Sequence, residues 1–164
     1  METKKEKMLE RALYEPVMKF LHSKFTSKFG NCHLEITADG HFEESIKTAV
    51  PYDIIFAFLG RKASPDLVGF IQGEYGIQDR VVVDVKREKI TLHDIYQVKM
   101  YGDLFSAKYA LLISPNPVPE EIKRVHKNLS VLYRFMSGWY VYIGEWSQVF
   151  GELIEKSWFP QSPF

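Results

Sequence analysis

The sequence predicts an α/β fold in which a mixed central β-sheet is flanked by helices. Three observations indicate this fold class: a long amphipathic pattern opens the chain, several short runs rich in Val, Ile and Phe follow, and helical patterns alternate with the later runs. The chain has 164 residues, of which 46% are hydrophobic, and it contains no internal repeat, low-complexity tract or linker. We therefore expect residues 1–164 to form one domain with a sizeable core.

The first predicted element is an amphipathic helix over residues 5–28, because apolar residues recur there at helical spacing. These residues are Leu9, Leu13, Val17, Phe20 and Leu21. Pro16 lies inside the pattern, so the sequence is compatible with a kink or a break near it. Gly30 and Asn31 are expected to end the helix.

Four short strands are predicted next, at residues 33–36, 52–59, 66–72 and 80–87. A turn over residues 60–65 and a loop over residues 73–79 separate the last three of them. The strand at 80–87 contains three consecutive valines, which is typical of a strand that is buried at the centre of a sheet.

The second half of the chain is predicted to alternate helices and strands. A helix begins at Thr91, with Asp94 as a variant of the capping box, and runs to about residue 105. The later predicted elements are a strand at 109–114, a helix at 118–128, strands at 131–135 and 139–143, and a last helix at about 147–157. We expect the tail at 159–164 to pack against an apolar surface.

The charge and cysteine content restrict the function classes. The chain has 21 Lys and Arg residues and 21 Asp and Glu residues, so its formal net charge is zero. A neutral chain counts weakly against a nonspecific nucleic-acid binder, although basic residues cluster at 61–62, 86–89 and 123–127. The single cysteine excludes an internal disulfide framework and a cysteine-based metal cluster within one chain. Because no apolar run approaches the roughly 18 residues of a membrane span and no secretory pattern opens the chain, a cytoplasmic location is expected.

Polar residues stand at the ends of two predicted strands that are adjacent along the chain. Asp84 and Lys86 end the valine-rich strand and lie on one face of it, because side chains alternate along a strand. Asp66 precedes the strand before it, so pairing of the two strands would place two carboxylates and a lysine in one site. Such groups suit the binding of Mg²⁺ and the cleavage of a phosphodiester.

These residues carry a resemblance to a known superfamily. Pro65-Asp66 with Asp84-Val85-Lys86 resembles the signature of the PD-(D/E)xK nucleases, which have a restriction-endonuclease-like fold. The segment from Gln97 to Tyr101 resembles the QxxxY motif of the RecB-like branch, and the resemblance spans roughly residues 8–114. The chain lacks the four-cysteine cluster of RecB-like nucleases of the CRISPR-adaptation type, which argues against that subgroup.

The resemblance implies a metal-dependent DNA nuclease, either an endonuclease or an exonuclease. In that case the site binds Mg²⁺, for which Mn²⁺ substitutes. The implied ligands are Asp66, Asp84 and the backbone carbonyl of Val85, and a carboxylate of the first helix completes the coordination shell of the ion. Glu10 is favoured for that role over Glu15, because Glu10 shares a face with apolar residues of the helix.

The remaining site residues also follow from the resemblance. It implies that Lys86 orients or activates the attacking water and that Gln97 and Tyr101 position the site or the DNA backbone. Asp53 also precedes an apolar run and competes with Asp66, but Asp66 is favoured because proline is adjacent to it.

Two other function classes remain open from the sequence. The chain could be a catalytically inactive nucleic-acid-binding relative, or an assembly module, as its neutral charge and aromatic C-terminal part suggest. The aromatic stretch 139–146 is interpreted as core or interface rather than as a platform for stacking bases. A homodimer formed through residues 130–164 is expected.

Overall fold

The structure is a computed structural model that describes residues 4–54, 64–76 and 78–164. Its helices are α1 Lys4–Phe29, α2 Glu44–Ala49, α3 Leu92–Leu104 and α4 Glu120–Leu129. Its strands are β1 Cys32–Ile36, β2 Leu67–Gln72, β3 Gln78–Val85, β4 Tyr109–Ser114, β5 Tyr133–Arg134, β6 Trp139–Ser147 and β7 Glu152–Leu153. None of the helices in these described ranges is long and apolar enough to cross a membrane.

The strands form one mixed sheet in the order β1-β2-β3-β4-β6-β5, and β7 pairs with β6 outside this path. β3 and β6 pair with β4 in parallel, whereas all the other pairs are antiparallel. The predicted α/β class with a mixed central sheet flanked by helices is therefore confirmed.

Helices cover both faces of the sheet, and each face has its own apolar core. α1 packs on one face through Tyr14, Val17, Leu21 and Phe25. α2, α3 and α4 pack on the other face, where their apolar residues meet alternate residues of the strands. β4 is buried along its whole length and β3 over residues 81–85, and these stretches are almost continuously apolar because both of their faces are covered.

Most predicted elements of the first half are confirmed. α1 runs without interruption across Pro16, and the predicted strands at 33–36, 66–72 and 80–87 correspond to β1, β2 and β3. The predicted strand at 52–59 is wrong for residues 52–54, which are helical, and its remainder lies outside the described residues. Periodicity cannot distinguish a strand from a short helix in so brief an apolar run.

Two predictions for the C-terminal part need correction. Residues 147–157 do not form an α-helix: β6 continues to Ser147, the chain then returns as β7 beside it, and only Glu155–Ser157 form a 3-10 turn. Of the predicted strand at 131–135, only Tyr133–Arg134 pairs with β6. The tail does pack on apolar residues, since the ring of Phe164 lies 5.0 Å from that of Phe25, centroid to centroid.

Candidate active site

The register of β2 and β3 brings two buried carboxylates together. Leu67 pairs with Val83, and continuing this antiparallel register by one residue places Asp66 opposite Asp84. The two side chains are only 6% and 2% exposed, respectively. Oδ2 of Asp66 accepts a hydrogen bond of 2.7 Å from the backbone N–H of Val85, which fixes this carboxylate against the end of β3.

Lys86 completes a charged group at the same strand end. Its Nζ lies 3.1 Å from Oδ2 of Asp84, which is an ion-pair distance. The oxygen is nevertheless buried without a partner in hydrogen-bond geometry among the described residues. A buried carboxylate oxygen in this state is costly, because it has lost water without gaining a full replacement.

Burial and the neighbouring charges both shift the pKa values of these groups. Burial raises the pKa of Asp66, and the charge of Asp84 raises it further, against the opposing hydrogen bond from Val85. Burial also raises the pKa of Asp84, although Lys86 opposes this shift. Burial by itself would lower the pKa of Lys86, but the charges of Asp84, Asp66 and Glu10 together outweigh it, so the net shift is upward and Lys86 stays protonated.

Glu10 reaches this group from α1 and is held there by two donors. Its Oε1 accepts a hydrogen bond of 3.2 Å from the hydroxyl of Tyr14, and its Oε2 accepts one of 3.5 Å from the backbone N–H of Arg87. Burial raises the pKa of Tyr14, and the nearby charge of Asp66 raises it further, so the tyrosine hydroxyl lies beside both carboxylates. Sequence reasoning missed Tyr14, for which the only signal was its position one helical turn after Glu10.

The two alternative carboxylates lie elsewhere. Glu15 is exposed and forms an ion pair of 2.7 Å with Lys19. Asp53 is exposed in the helical residues 52–54 and does not line the cleft described below. Of the competing residues, the structure therefore brings Glu10 and Asp66 to Asp84.

The two residues of the QxxxY pattern have different positions. Nε2 of Gln97 donates a hydrogen bond of 2.8 Å to the hydroxyl of Tyr101, one helical turn away on α3. Gln97 lines the cleft, but Tyr101 is fully buried in the core. Tyr101 therefore does not line the cleft itself, but its hydroxyl bonds to Gln97 and lies near the charges of Asp84 and Asp66.

These residues lie in an open cleft of about 750 Å³ between α1 and the start of α3. The buried carboxylates are surrounded by exposed residues of both charges, and His93 also lies at the edge. The lining residues are Lys7, Glu10, Arg11, Tyr14, Ala38, Ser64, Asp66, Asp84, Lys86, Glu88, Lys89, Thr91, His93, Asp94 and Gln97. The exposed cations could hold a polyanion above the acidic residues.

The donor set fits a divalent cation. Carboxylate oxygens are the ligands that Mg²⁺ and Mn²⁺ prefer. Oδ2 of Asp84, which the ammonium of Lys86 approaches at 3.1 Å, offers one such ligand, and the carboxylates of Asp66 and Glu10 line the same cleft. The carbonyl of Val85, predicted as a further ligand, belongs to the residue between Asp84 and Lys86 and stays a prediction.

A second group of potential ligand atoms lies away from the cleft. Atoms of His33, Glu35 and Glu43 lie within 4.8 Å of one another. The carboxylate of Glu35 is already bonded within this group, because it pairs with Nε2 of His33 at 3.0 Å and accepts a hydrogen bond of 2.9 Å from the backbone N–H of Glu43. These contacts explain the cluster as part of the packing between β1 and α2.

No protein-family model matches the sequence, and a search of the curated proteins also finds no match.

Proposed function

We propose that the chain is a metal-dependent DNA nuclease of the PD-(D/E)xK type with a RecB-like QxxxY pattern and a restriction-endonuclease-like fold. One observation carries the proposal: three carboxylates and one lysine, from α1, β2 and β3, meet at the end of a central strand in an open cleft. The number and burial of these carboxylates support the proposal, because carboxylate oxygens are suitable ligands for Mg²⁺ or Mn²⁺.

In this proposal Glu10, Asp66, Asp84 and the carbonyl of Val85 hold Mg²⁺ or Mn²⁺. When bound, the ion supplies positive charge for the scissile phosphate and acidifies a water molecule. The hydrogen bonds from Val85 to Asp66 and from Tyr14 to Glu10 orient these carboxylates before any substrate arrives.

Lys86 has the position and charge for the reaction itself. Its side chain is 22% exposed at the cleft and stays protonated because the surrounding carboxylates raise its pKa. A fixed ammonium there orients the attacking water and stabilises negative charge that develops on the phosphate oxygens. Gln97, held by Tyr101, can donate to the DNA backbone from the opposite wall.

A cleavage assay tests the proposal. Linear duplex, closed circular DNA, single strands and a four-way junction are incubated with and without Mg²⁺ or Mn²⁺, using the wild type, Asp84→Ala and Lys86→Ala. Asp79→Ala is the matched control, because Asp79 lies at the other end of β3 and forms an ion pair with Lys108 instead. We expect metal-dependent cleavage that Asp84→Ala and Lys86→Ala abolish and Asp79→Ala retains.

The other outcomes identify the competing classes. Cleavage that survives Lys86→Ala would contradict the site assignment. DNA affinity without cleavage would indicate a non-catalytic binding module, and a folded protein with no DNA affinity would indicate an assembly module.

A further inference from the structure

An apolar groove of about 390 Å³ adjoins the cleft on the side of α4. Its walls are aliphatic and its edges are polar, and it lies where the loop before α3 meets α4. The lining residues are Lys89, Ile90, Thr91, Leu92, Glu121, Ile122 and Val125. Leu92 is 43% exposed, so part of an aliphatic wall faces solvent.

The groove and the cleft share a wall. Lys89 and Thr91 line both cavities, so a chain bound in the cleft has direct access to the groove. Lys89 also approaches Glu121 at 3.6 Å, and both side chains of this ion pair are mostly exposed. Such an exposed pair contributes little stability, so Lys89 can turn to a phosphate at small cost.

We propose that this groove binds an unpaired nucleobase of the strand whose backbone lies in the cleft. The inference rests on the proposed function and specifies its substrate class: single strands, flaps or junctions, rather than fully paired duplex. A base has apolar faces and polar edges, which match the aliphatic walls and the carboxylate of Glu121 at the rim.

The charge distribution supports a nucleotide over a purely apolar ligand. Lys89 stands between the two cavities, where the phosphate that joins consecutive nucleotides would lie. The groove's size also falls within the range of about 300–1,000 Å³ that is usual for small-molecule sites. A paired base cannot enter, because its faces and its Watson–Crick edge are already occupied in a duplex.

Binding by fluorescence anisotropy tests the groove separately from catalysis. The probes are labelled single-stranded oligonucleotides that are either intact or carry one abasic position, which is moved stepwise along the strand. Ca²⁺ replaces Mg²⁺, and the full chain is used as wild type, Leu92→Asp and the control Met100→Asp. Leu92 and Met100 are both on α3 and similarly exposed, at 43% and 46%, but only Leu92 lines the groove.

We expect one abasic position to weaken wild-type binding about tenfold, which corresponds to the loss of about 1.4 kcal/mol of apolar contact. Leu92→Asp should bind every oligonucleotide with the same reduced affinity, while Met100→Asp should keep the dependence on position. Circular dichroism melting of each variant verifies that the fold is retained.

Equal wild-type affinity for all the oligonucleotides would overturn the groove assignment. The same holds if Leu92→Asp keeps the positional dependence. The two proposals can fail separately. Base-dependent binding without Asp84-dependent cleavage would support the groove and contradict the nuclease. Asp84-dependent cleavage without base-dependent binding would support the nuclease and contradict the groove.

Discussion

Replacing Asp84 by asparagine is expected to stabilise the metal-free protein while abolishing its cleavage activity. Asp84 is 2% exposed and shares one lysine with Asp66 and Glu10. Its pKa is raised by burial, so the folded state disfavours the charged carboxylate. Asparagine has nearly the same shape and removes that charge.

The substitution stabilises the protein only if removing the buried charge of Asp84 gains more free energy than losing its ion pair with Lys86 costs. Removing one partner of a one-to-one buried ion pair costs about 3–5 kcal/mol, because the other charge is left unpaired. Here Lys86 keeps Asp66 and Glu10 as neighbours after the substitution, so it is not left unpaired. We therefore expect a net gain of about 1–2 kcal/mol, the scale reported for removing unfavourable buried charge.

The assay is thermal unfolding in EDTA, in which a chain of this size should gain about 2–8 °C. Asp79→Asn is the matched control. Asp79 lies on the same strand as Asp84, and its substitution removes a partly exposed ion pair of 3.0 Å with Lys108. That variant should lose at most about 1 kcal/mol. Added Mg²⁺ should raise the melting temperature of the wild type, through preferential binding to the folded state, but not that of Asp84→Asn.

The pH dependence gives an independent measure of the same effect. Because the pKa values of Asp66 and Asp84 are raised in the folded state, the native protein binds more protons than the unfolded chain at pH values above about 4. Its metal-free stability should fall as pH rises from there, and Asp84→Asn should flatten the slope. A lower melting temperature for Asp84→Asn in EDTA, or no change of slope, would refute the reasoning.

Three further substitutions test the supports of the site and the fold. Tyr14→Phe removes the hydroxyl that donates to Glu10, so the free energy of unfolding in urea should fall by about 1–3 kcal/mol and Mg²⁺ binding measured by calorimetry should weaken. Unchanged values would show that the hydroxyl does not hold Glu10. Thr91→Ala removes the capping box of α3 and should lower the melting temperature by about 2–4 °C, whereas no decrease would mean that the cap contributes nothing. Gly69→Ala would place a Cβ against the carbonyl oxygen of His33 on β1, so we expect a loss of about 1–3 kcal/mol, and wild-type stability would contradict this close approach.

The central strands and the capped helix could be predicted from the sequence because their signals are local. The strand at 109–114 matches β4 residue for residue, since burial on both faces requires an uninterrupted apolar run. The Thr91–Asp94 pair similarly defines the start of α3 by its own hydrogen bonds. Neither element depends on a distant partner for its identity.

The errors fall where a distant partner decides the structure. Residues 147–157 contain apolar side chains at spacings that suit a helix, yet Val149 and Phe150 are exposed at a turn and Leu153 pairs with Trp146 across it. The pairing exists because β6 is already part of the sheet, and the local sequence does not contain that information. Tyr14 was missed for the same reason: its neighbour Asp66 approaches only after α1 packs on the sheet.

The candidate site differs from an ordinary buried ion pair in its balance of charges. At the start of β3, Asp79 has one lysine, Lys108, and the pair is partly solvated. At the end of the same strand, the charges of three carboxylates act on Lys86, and the two aspartates among them are buried. A purely structural arrangement would be more stable with fewer acids, because each additional buried charge must be compensated. The proposed metal-dependent function accounts for this arrangement, because a bound cation would compensate the additional carboxylates around Asp84.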